Sequence, residues 1–557
     1  MAISKDKFKI AYFSMELELE NFIKNYSGGL GILAGDILRS AADLRLPMVG
    51  ITLLNSQGYF NQKINAAGEQ EETIVDDYDF SNLKKIKDSA IIKIGQDNVK
   101  IGAWKYLIKG ADGFEVPVYL LDTNFPENKP IYQSLTGKLY GNDKEYRLLQ
   151  EIVLGCGGFA LLKSLGCDIK KLHINEGHGS FVVISQFLTS RRKSLSDKIA
   201  DTKNKCVFTT HTPVKMANDI FPLDLVLKHQ PDFPLDIPEI IKDKQVNMTK
   251  LALYFSGYIN GVAISHALVS HKMFPDYQIH AITNGVHSLT WTAPEFAALY
   301  DKHLLNWRHS SLSLRNAFTI PTAEIWEAHQ GAKKRLLKFV KEKSGVELEQ
   351  NTFTIGLARR FTAYKRPLLL VSDIKKLIKI SDTVGKIQIV YAGKAHPADM
   401  GGKKLIADLQ TIIKKYQANI KIVFLEGYDT DISKLMTAGV DLWVNTPLPP
   451  NEASGTSGMK AAHNGVPQLS TFDGWWREGY IRGKTGWTIR GNKFTGAGDI
   501  DYKDALSLYS LLEKEIIPLY YNNPPKWQEI MRFVIGINAS FFNTERVLQE
   551  YIQNAYL

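Results

Sequence analysis

The chain has 557 residues, too many for one hydrophobic core, so two large domains or three smaller ones are expected. Its hydrophobic fraction of 44% and charged fraction of 23% are ordinary for a soluble globular enzyme. The net charge of +10 is spread along the chain rather than gathered in blocks. This pattern argues against nucleic-acid binding and leaves small anionic substrates as a good fit.

The three scattered cysteines and the lack of long apolar runs argue against a disulfide-rich secreted protein and against a membrane protein. Cys156, Cys167 and Cys206 have no paired spacing, so neither a disulfide framework nor a cysteine zinc site is expected. The chain reaches Glu16 and Glu18 before any long apolar stretch, which is not the pattern of a signal peptide. No run approaches about 18 apolar residues, so we expect no membrane span. The unpaired spacing of the cysteines fits a reducing cytoplasm, which is the expected location.

Short apolar, β-branched runs alternate with longer amphipathic segments along most of the chain. In the first half the predicted strands are 9–15, 47–54, 115–122, 170–175, 205–211, 261–266 and 280–285. In the second half they are 352–359, 386–393, 420–427, 440–447 and 466–470. Such strands followed by helical patterns are typical of parallel sheets covered on both faces. The two series predict an α/β protein with two doubly wound, Rossmann-like domains, which bind ligands beyond the carboxyl ends of their strands.

A glycine-rich turn at residues 27–31, SGGLG, follows the first predicted strand and opens a helical pattern. Glycines at such a turn let backbone N–H groups approach an anion, and the helix N-terminus adds a favourable dipole. A tight turn with close helix–sheet packing explains the same residues equally well. The motif alone therefore leaves anion binding and packing open.

Four cations lie at the carboxyl end of the predicted strand 352–359 and in the loop after it: Arg359, Arg360, Lys365 and Arg366. Such charges repel one another unless an anion neutralises them, and arginine can grip phosphate with two parallel hydrogen bonds. A solvated basic loop is the alternative, but the position after a buried strand favours a phosphate site. Pro367 is expected in the first turn of the next helix.

The stretch 451–465, NEASGTSGMKAAHNG, places Lys460 just inside a short predicted helix that Gly465 ends. Ser454, Thr456 and Ser457 are candidate N-caps. A P-loop is excluded, because Gly-Lys followed by Ser or Thr is absent. Backbone donors and hydroxyls before the helix still suit a phosphate, and the lysine suits an imine with a carbonyl cofactor. A capped helix with an exposed lysine is the alternative.

Histidines at strand ends suggest a further polar site. They are His173, His178, His211 and His287. Their spacing matches no standard metal signature, so no metal is expected. With Glu176 and Asn284 they are better explained as the lining of a cleft that hydrogen-bonds a polyhydroxylated substrate. Core histidines are the alternative.

Together these motifs resemble those of the α-glucan phosphorylases, the glycogen, starch and maltodextrin phosphorylase family. The stretch 451–465 resembles the family's cofactor-lysine signature. The match continues in order along nearly the whole chain through SGGLGILAGD, GYFNQKI, INEGHGS, THTP, TNGVHSLTW and ARRFTAYKRP. The length resembles the compact bacterial and archaeal branch, which lacks much of the N-terminal regulatory apparatus, so no phosphorylation or nucleotide-effector regulation is expected.

The resemblance implies two Rossmann-like domains in the GT-B arrangement, with pyridoxal 5′-phosphate at the cleft between them. We expect an N-terminal glucan-binding domain at 1–330 and a C-terminal domain for cofactor and phosphate at 331–525. Helices at 526–557 are expected to pack back on the N-terminal domain. A homodimer is the family expectation.

The resemblance also implies roles for individual residues. Lys460 would form the Schiff base with the cofactor. Further cofactor contacts would come from Gly455, Thr456, Arg359 and Tyr428. The residues serving catalysis would be Lys460, Arg360, Lys365 and His211. The substrate-binding residues would be Gly28, Gly29, Leu30, Glu176, His178, His211, Asn284, Glu452, Ser454 and Gly455.

The implied reaction is reversible phosphorolysis with retention, in which terminal α-1,4-linked glucose passes to inorganic phosphate and gives glucose 1-phosphate. Inorganic phosphate would protonate the leaving glycosidic oxygen and capture the oxocarbenium-like sugar, while the cofactor's phosphate group serves the proton relay. Arg360, Lys365 and the Gly29 backbone would hold the substrate phosphate, and Glu176 and His178 would face the acceptor sugar. The expected partners are thus an α-1,4-glucan, phosphate and glucose 1-phosphate, without nucleic acid or membrane.

Two positions depart from the family pattern. Asp429 stands where the longer enzymes have an arginine near the cofactor, and Glu18 where they have a cofactor-contacting tyrosine. A sugar-nucleotide-dependent glucan synthase of the same fold is one alternative, but its lysine before the Gly-Gly pair is missing here. A non-catalytic glucan-binding protein is another, although the loss of Lys460, Arg360 or Lys365 would then be expected, and all three are present.

Overall fold

A computed structural model describes residues 9–23, 25–73, 79–141, 143–212, 219–489 and 499–557. The chain divides into two compact units. The first contains the described residues up to Phe60, those from 79 to Thr283, and Thr544–Leu557. The second contains Asn61–Thr73 and the described part of Asn284–Asn543. The domain limits expected from the sequence, 1–330, 331–525 and 526–557, and the GT-B arrangement stay predictions.

The strands of the described residues, in chain order, are β1 (Ile10–Ser14), β2 (Met48–Leu53), β3 (Asn61–Ile64), β4 (Gln70–Thr73), β5 (Lys84–Lys85), β6 (Ala90–Ile94), β7 (Asp97–Lys109), β8 (Glu115–Asp122), β9 (Lys171–Asn175), β10 (Cys206–Thr209), β11 (Ile220–Pro222), β12 (Ile241–Lys242), β13 (Gln245–Asn247), β14 (Tyr258–Gly261), β15 (His280–Ala281), β16 (Phe353–Ala358), β17 (Ile387–Ala392), β18 (Lys421–Leu425), β19 (Leu442–Asn445), β20 (Gln468–Thr471) and β21 (Gly486–Ile489).

The α-helices of the same residues are α1 (Gly29–Asp43), α2 (Pro130–Gln133), α3 (Lys144–Ile152), α4 (Gly158–Ser164), α5 (Phe181–Thr189), α6 (Leu195–Lys205), α7 (Leu223–His229), α8 (Met248–Phe255), α9 (Ile264–Met273), α10 (Ser288–Trp291), α11 (Pro294–His303), α12 (Thr322–Ser344), α13 (Ile374–Thr383), α14 (Met400–Tyr416), α15 (Thr430–Gly439), α16 (Ser457–Ala462), α17 (Trp476–Gly479), α18 (Ile500–Leu511), α19 (Ile517–Asn522), α20 (Pro524–Phe533) and α21 (Thr544–Tyr551). Within the described part of the chain, no helix is both long enough and apolar enough to cross a membrane.

The first unit is built on a sheet with the order β15-β14-β10-β9-β1-β2-β8-β7-β5, and β6 pairs with β7. Neighbouring strands from β15 to β8 are parallel, whereas β7 is antiparallel to its partners. The last residues of three central strands lie in one row, because Ser14 pairs with Asn175 and Asn175 with Thr209. The loops after β1, β9 and β10 therefore meet at one edge of the sheet.

The second unit contains a sheet with the order β18-β17-β16-β19-β20-β21, in which every pair is parallel. Its strands β16 and β19 are neighbours, so the loops that follow them start side by side. A hairpin of β3 and β4 also belongs to this unit. Each unit by itself is built on a largely parallel sheet with helices, which confirms the α/β class expected from the sequence.

Each sheet has a hydrophobic core on both faces. In β1, Ala11 and Phe13 belong to one buried cluster, and Ile10 and Tyr12 belong to another. The strands of the second unit divide in the same way between two clusters. Because successive side chains of a strand point to opposite faces, a strand buried on both sides is a continuous apolar run. This explains why these strands are visible in the sequence.

The C-terminal segment packs in the first unit. The Ser40 hydroxyl lies 2.6 Å from that of Thr544, and the Tyr551 hydroxyl lies 2.9 Å from that of Thr209. Val547 and Leu548 join the cluster on one face of the sheet. Residues 544–557 thus complete this core.

Segment 261–266 was expected as a strand, and this expectation is wrong. The strand β14 ends at Gly261, and helix α9 begins at Ile264. A Cβ atom at Gly261 would lie 2.9 Å from the Ala267 backbone nitrogen. The helix crosses the strand end too closely for the strand to continue.

The expected position of Pro367 in the first turn of an α-helix is also wrong. Pro367 lies between two short 3-10 helices, Ala363–Lys365 and Leu369–Val371, and the next α-helix begins at Ile374. Arg366 directly before it has φ +47°, a left-handed conformation that interrupts helical geometry.

Candidate active site

The loops that follow β16 and β19 form a buried cluster of three charged side chains, called here the cation cluster: Arg359, Lys365 and Glu452. Arg359 comes directly after β16, Lys365 ends a short 3-10 helix, and Glu452 lies in the loop after β19. The Glu452 carboxylate accepts a hydrogen bond of 3.1 Å from Arg359 Nη2 and a second one from Lys365 Nζ. The parallel pairing of β16 and β19 thus joins residues that are far apart in the sequence.

The cation cluster carries an excess of positive charge. The side chains of Arg359, Lys365 and Glu452 are only 7%, 15% and 10% exposed. Burial by itself raises the pKa of Glu452, but the charges of Lys365 and Arg359 outweigh it and hold the pKa below its ordinary value. Two cations share one ionised carboxylate, so the cluster keeps one unbalanced positive charge that an anion can neutralise.

The other two cations of this loop do not join the cluster. Arg366 is buried, pairs with Asp504 at 2.7 Å, and donates to the carbonyl oxygens of Thr446 and Pro447 at 2.9 and 3.0 Å. Its guanidinium therefore fastens the loop to the unit. Arg360 is exposed, and its side chain makes no hydrogen bond or ion pair with the residues that the structure describes.

The stretch 451–465, called here the lysine segment, places Lys460 inside the second unit rather than on its surface. Lys460 lies on α16, is 4% exposed, and has its Nζ 3.7 Å from the centre of the Trp291 ring. The alternative of an exposed lysine is therefore wrong. Thr456 is the N-cap residue of α16, without a side-chain capping hydrogen bond, and Gly465 with φ +66° follows the helix as expected.

Several atoms around this segment are available to a phosphorylated cofactor. Ser454 Oγ and Arg359 Nε are buried and have no hydrogen-bond partner among the described residues. Gly455 has φ +80°, and a Cβ atom there would lie 3.1 Å from Glu452 Cγ. Buried donors, a cation and a buried lysine are the groups that a phosphate and an aldehyde require. The residues present therefore fit pyridoxal 5′-phosphate.

Tyr428 follows β18 in the same unit. Burial raises the pKa of its hydroxyl to about 12, against the opposing charge of Arg359. It is thus a neutral hydrogen-bonding group near the cation cluster.

Asp473 lies next to the cation cluster and was not predicted as a site residue from the sequence. It follows β20, is 4% exposed, and accepts a hydrogen bond of 2.9 Å from the backbone N–H of Glu452. Burial raises its pKa to about 6. It fixes the backbone from which the Glu452 side chain extends.

Both departures from the family pattern have structural partners. Asp429 is the N-cap of α15, and its carboxylate accepts a hydrogen bond of 2.9 Å from the backbone N–H of Ile432. Burial raises the pKa of Asp429. Glu18, in the first unit, forms an ion pair of 2.8 Å with Arg39.

The glycine turn, residues 27–31 of the first unit, donates hydrogen bonds to a carboxylate of the same chain. Glu16 is 3% exposed, and its carboxylate accepts hydrogen bonds from the backbone N–H groups of Ser27 and Gly28 at 2.8 and 3.1 Å. Gly28 is the N-cap of α1, and Gly29 and Leu30 form its first turn. A Cβ atom at Gly29 would meet no atom within 4 Å, so the backbone is open at this position.

The loops after β9 and β10 bring Glu176 and His211 together. Glu176 accepts hydrogen bonds from the His211 backbone N–H at 2.7 Å and from the Thr212 hydroxyl at 2.9 Å. His211 Nε2 donates to Asn175 Oδ1 at 2.6 Å, and burial lowers its pKa to about 3, so its ring is neutral. Glu176 has φ +69°, a strained conformation for this residue type.

The remaining predicted residues have different surroundings. His178 Nε2 lies 3.4 Å from the Asp219 carboxylate in the first unit. His173 lies inside β9, 2.6 Å from the Tyr556 hydroxyl, and is a core histidine. Asn284 is buried in the second unit, in the segment that follows β15. Within the described ranges, no three His, Cys, Asp or Glu residues are grouped so as to hold a metal ion.

Comparison with known proteins identifies the family. The family model for carbohydrate phosphorylase matches residues 214–478. A glycogen phosphorylase of Aquifex aeolicus is 35% identical over 99% of this chain and 87% of its own length. A maltodextrin phosphorylase of Thermococcus litoralis is 36% identical and a glycogen phosphorylase of Mycobacterium tuberculosis 33% identical, each over 98% of this chain and 70% of the relative. The chain therefore belongs to the carbohydrate phosphorylase family.

Proposed function

We propose that the protein is an α-glucan phosphorylase that transfers terminal α-1,4-linked glucose from glycogen, starch or maltodextrin to inorganic phosphate. The reaction is reversible, retains the anomeric configuration and gives glucose 1-phosphate. The observation that carries the proposal is the buried cation cluster with its unbalanced positive charge, next to the segment of the buried Lys460, in a chain of this family. A cytoplasmic location and a homodimer stay predictions.

Pyridoxal 5′-phosphate is the cofactor in this proposal. Lys460 would hold it covalently, and Arg359, Gly455, Thr456 and Tyr428 would provide further contacts. Arg359 Nε and Ser454 Oγ support this assignment, because they are buried without a hydrogen-bond partner among the described residues, and such atoms are costly unless a ligand satisfies them. When bound, the cofactor supplies a phosphate group that exchanges a proton with the substrate phosphate.

The chain's own side chains bind and orient the reactants. Lys365 and Arg360 hold the inorganic phosphate, and the excess charge of the cation cluster offsets the repulsion between two phosphates. Arg360 suits this role because it is exposed and its fork of donors matches a phosphate. The backbone N–H groups of Gly29 and Leu30 add donors at the start of a helix, whereas that of Gly28 already donates to Glu16.

The sugar-binding residues are assigned by their hydrogen-bonding groups. Glu452, Ser454, Gly455, His211 and Asn284 bind the glucosyl unit that is transferred, and Glu176 and His178 face the acceptor sugar. The neutral ring of His211, fixed by Asn175, supports a role as a hydrogen-bond partner rather than a charge. Inorganic phosphate protonates the leaving glycosidic oxygen, so no pair of catalytic carboxylates is needed.

The purified protein tests this proposal directly. It is expected to show pyridoxal absorbance that borohydride fixes on the peptide containing Lys460, and to release phosphate from glucose 1-phosphate when maltodextrin is added. Lys460→Ala is expected to lose both signals. Lys434→Ala, which changes a lysine that is 43% exposed, is the matched control and keeps both. A colourless protein that consumes a nucleotide sugar would contradict the proposal.

A further inference from the structure

The contact between Tyr140 and Glu16 joins two loops of the first unit. The Tyr140 hydroxyl donates a hydrogen bond of 2.5 Å to Glu16 Oε1, across 124 residues of sequence. Glu16 uses its other lone pairs for the glycine turn, from which it accepts the Ser27 hydroxyl at 2.8 Å and two backbone N–H groups. One buried carboxylate thus connects the turn to the loop before α3.

Tyr140 is held firmly in this place. Its φ of +59° is unfavourable for a bulky side chain and persists only where the surroundings determine it. The Arg147 guanidinium lies 4.7 Å from the centre of its ring, and the His178 ring lies 5.8 Å away. Burial, and then the charge of Glu16, raises the pKa of Tyr140 well above its ordinary value, so the hydroxyl remains a donor.

The other side of this contact reaches the residues around His178. Arg147 donates to Asp219 at 2.7 Å, and the same carboxylate lies 3.4 Å from His178 Nε2. A continuous set of contacts therefore runs from the glycine turn through Glu16 and Tyr140 to His178. The hydrogen bond from Tyr140 to Glu16 can be removed by a change to phenylalanine, which keeps the aromatic ring in place.

We propose that Tyr140 is a positioning residue, whose hydroxyl fixes Glu16 and so sets the orientation of the glycine turn toward the substrate phosphate. This rests on the proposed function, which assigns the backbone N–H groups of Gly29 and Leu30 to that phosphate. Without the hydroxyl, Glu16 keeps its three hydrogen bonds to Ser27 and Gly28 but loses the one that ties it to the loop before α3, so the direction of the turn is less fixed. The phosphate then binds to a less organised turn.

The variant Tyr140→Phe tests the proposal, because it keeps the ring against Arg147 and His178 and removes only the donor. The KM for inorganic phosphate is expected to rise about tenfold at saturating maltodextrin, as for the loss of one hydrogen bond to a charged group, while kcat changes less. Amide hydrogen exchange of residues 25–31 is expected to become faster. Tyr132→Phe is the matched control, since it removes a hydrogen bond of 2.9 Å from a buried tyrosine to another carboxylate, that of Asp97.

A second variant keeps the test decisive if Tyr140→Phe folds poorly. Glu16→Gln preserves the shape of the side chain and removes its charge, and the same direction of change is expected. The phosphate KM of the double variant is expected to be no higher than that of Glu16→Gln alone, because both substitutions act on the same contact between Tyr140 and Glu16. Additive effects, or a phosphate KM within twofold of wild type in Tyr140→Phe, would overturn the inference. A wild-type protein without phosphorolysis would instead overturn the proposed function and the phosphate role with it.

Discussion

The cation cluster and the glycine turn both lie in loops at the carboxyl ends of parallel strands, and each is held by a largely buried glutamate, Glu452 within the cluster and Glu16 beside the turn. Glu452 of the cation cluster meets two side-chain cations, and one positive charge is left over. Glu16 at the glycine turn meets backbone N–H groups and two hydroxyls, which carry no net charge. The cation cluster therefore attracts a further anion by its charge, whereas the glycine turn has no excess positive charge and offers only the backbone donors that Glu16 leaves open.

This difference distinguishes two ways in which a loop can bind a phosphate. Side-chain cations supply attraction, which is strong in a buried site because the surroundings screen it weakly. Backbone donors at a helix start supply direction, because their positions follow from the turn itself. We therefore expect the loss of a cation from the cation cluster to weaken phosphate attraction directly, whereas changes at the glycine turn affect phosphate only through the local packing that fixes the turn.

The largest effect is expected from Lys365→Ala. The remaining Arg359 and Glu452 form a balanced pair, so folding loses little, but the excess charge that attracts phosphate is gone. We expect kcat/KM for inorganic phosphate to fall about 100-fold, measured in the direction of glucose 1-phosphate formation. An unchanged phosphate dependence would contradict the comparison.

The matched control is Arg366→Ala, which replaces a cation of the same loop. It is expected to lower stability strongly, whereas Lys365→Ala is expected to lower it little. The substitution takes the Arg366 cation away from the buried Asp504 carboxylate, which is expected to lower the free energy of unfolding by about 3–5 kcal/mol. Urea unfolding of both variants separates the two roles. If Lys365→Ala lost the more stability, the division between a binding cation and a structural one would be wrong.

The glycine turn offers a pair of identical changes at neighbouring positions. At Gly31 a Cβ atom would lie 2.5 Å from Tyr26 Cβ and 3.2 Å from Glu16 Oε2, so Gly31→Ala is expected to lower the free energy of unfolding by about 1–3 kcal/mol. Gly29→Ala meets open space and is expected to change stability by less than about 0.5 kcal/mol. Equal losses in thermal unfolding would show that packing does not govern this turn.

The features that could be predicted from the sequence are those that depend on local residue patterns. Continuous apolar runs marked β1, β2, β16 and β17, because strands buried on both faces have no polar alternation. The hairpin of β6 and β7 was missed, since β6 alternates between buried and exposed residues and resembles no such run. The lysine segment was predicted by its own residues, and the structure places it in the interior of the second unit.

The partners of these motifs were not predictable in the same way. Lys365 and Glu452 are 87 residues apart, and only the pairing of β16 with β19 makes them neighbours. Tyr140 is 124 residues from Glu16, with no motif of its own. Local sequence therefore identifies loops that can hold an anion, but the charge that each loop retains depends on tertiary contacts.

The second carboxyl near the cation cluster gives a pH-dependent prediction. Burial raises the pKa of Asp473 to about 6, from an unfolded value near 3.8, so the folded protein binds this proton more tightly. Stability from this group is present at low pH and is lost as the pH rises through 6. Asp473→Asn, which resembles the protonated form, is thus expected to gain about 1 kcal/mol relative to wild type between pH 5 and pH 7. A pH-independent difference in urea unfolding would contradict the raised pKa.

The smallest effect concerns Asp429, where the longer enzymes of the family pattern carry an arginine. Its carboxylate accepts the Ile432 N–H at the start of α15, so Asp429→Ala is expected to lower the free energy of unfolding by about 1 kcal/mol. Asp373→Ala is the matched control, because Asp373 caps α13 of the same unit with a hydrogen bond of 3.0 Å to the Lys376 N–H.

Both variants are expected to lose similar stability and to keep the pyridoxal absorbance and the phosphate KM of wild type. A change of absorbance in Asp429→Ala alone would place this carboxylate among the groups that act on the cofactor. The excess charge of the cation cluster would then be partly offset by Asp429, and the contrast with the glycine turn would be weaker than the contacts of Glu452 indicate. Equal losses in the two variants leave that contrast intact, because the Asp429 charge is then committed to the helix that it caps.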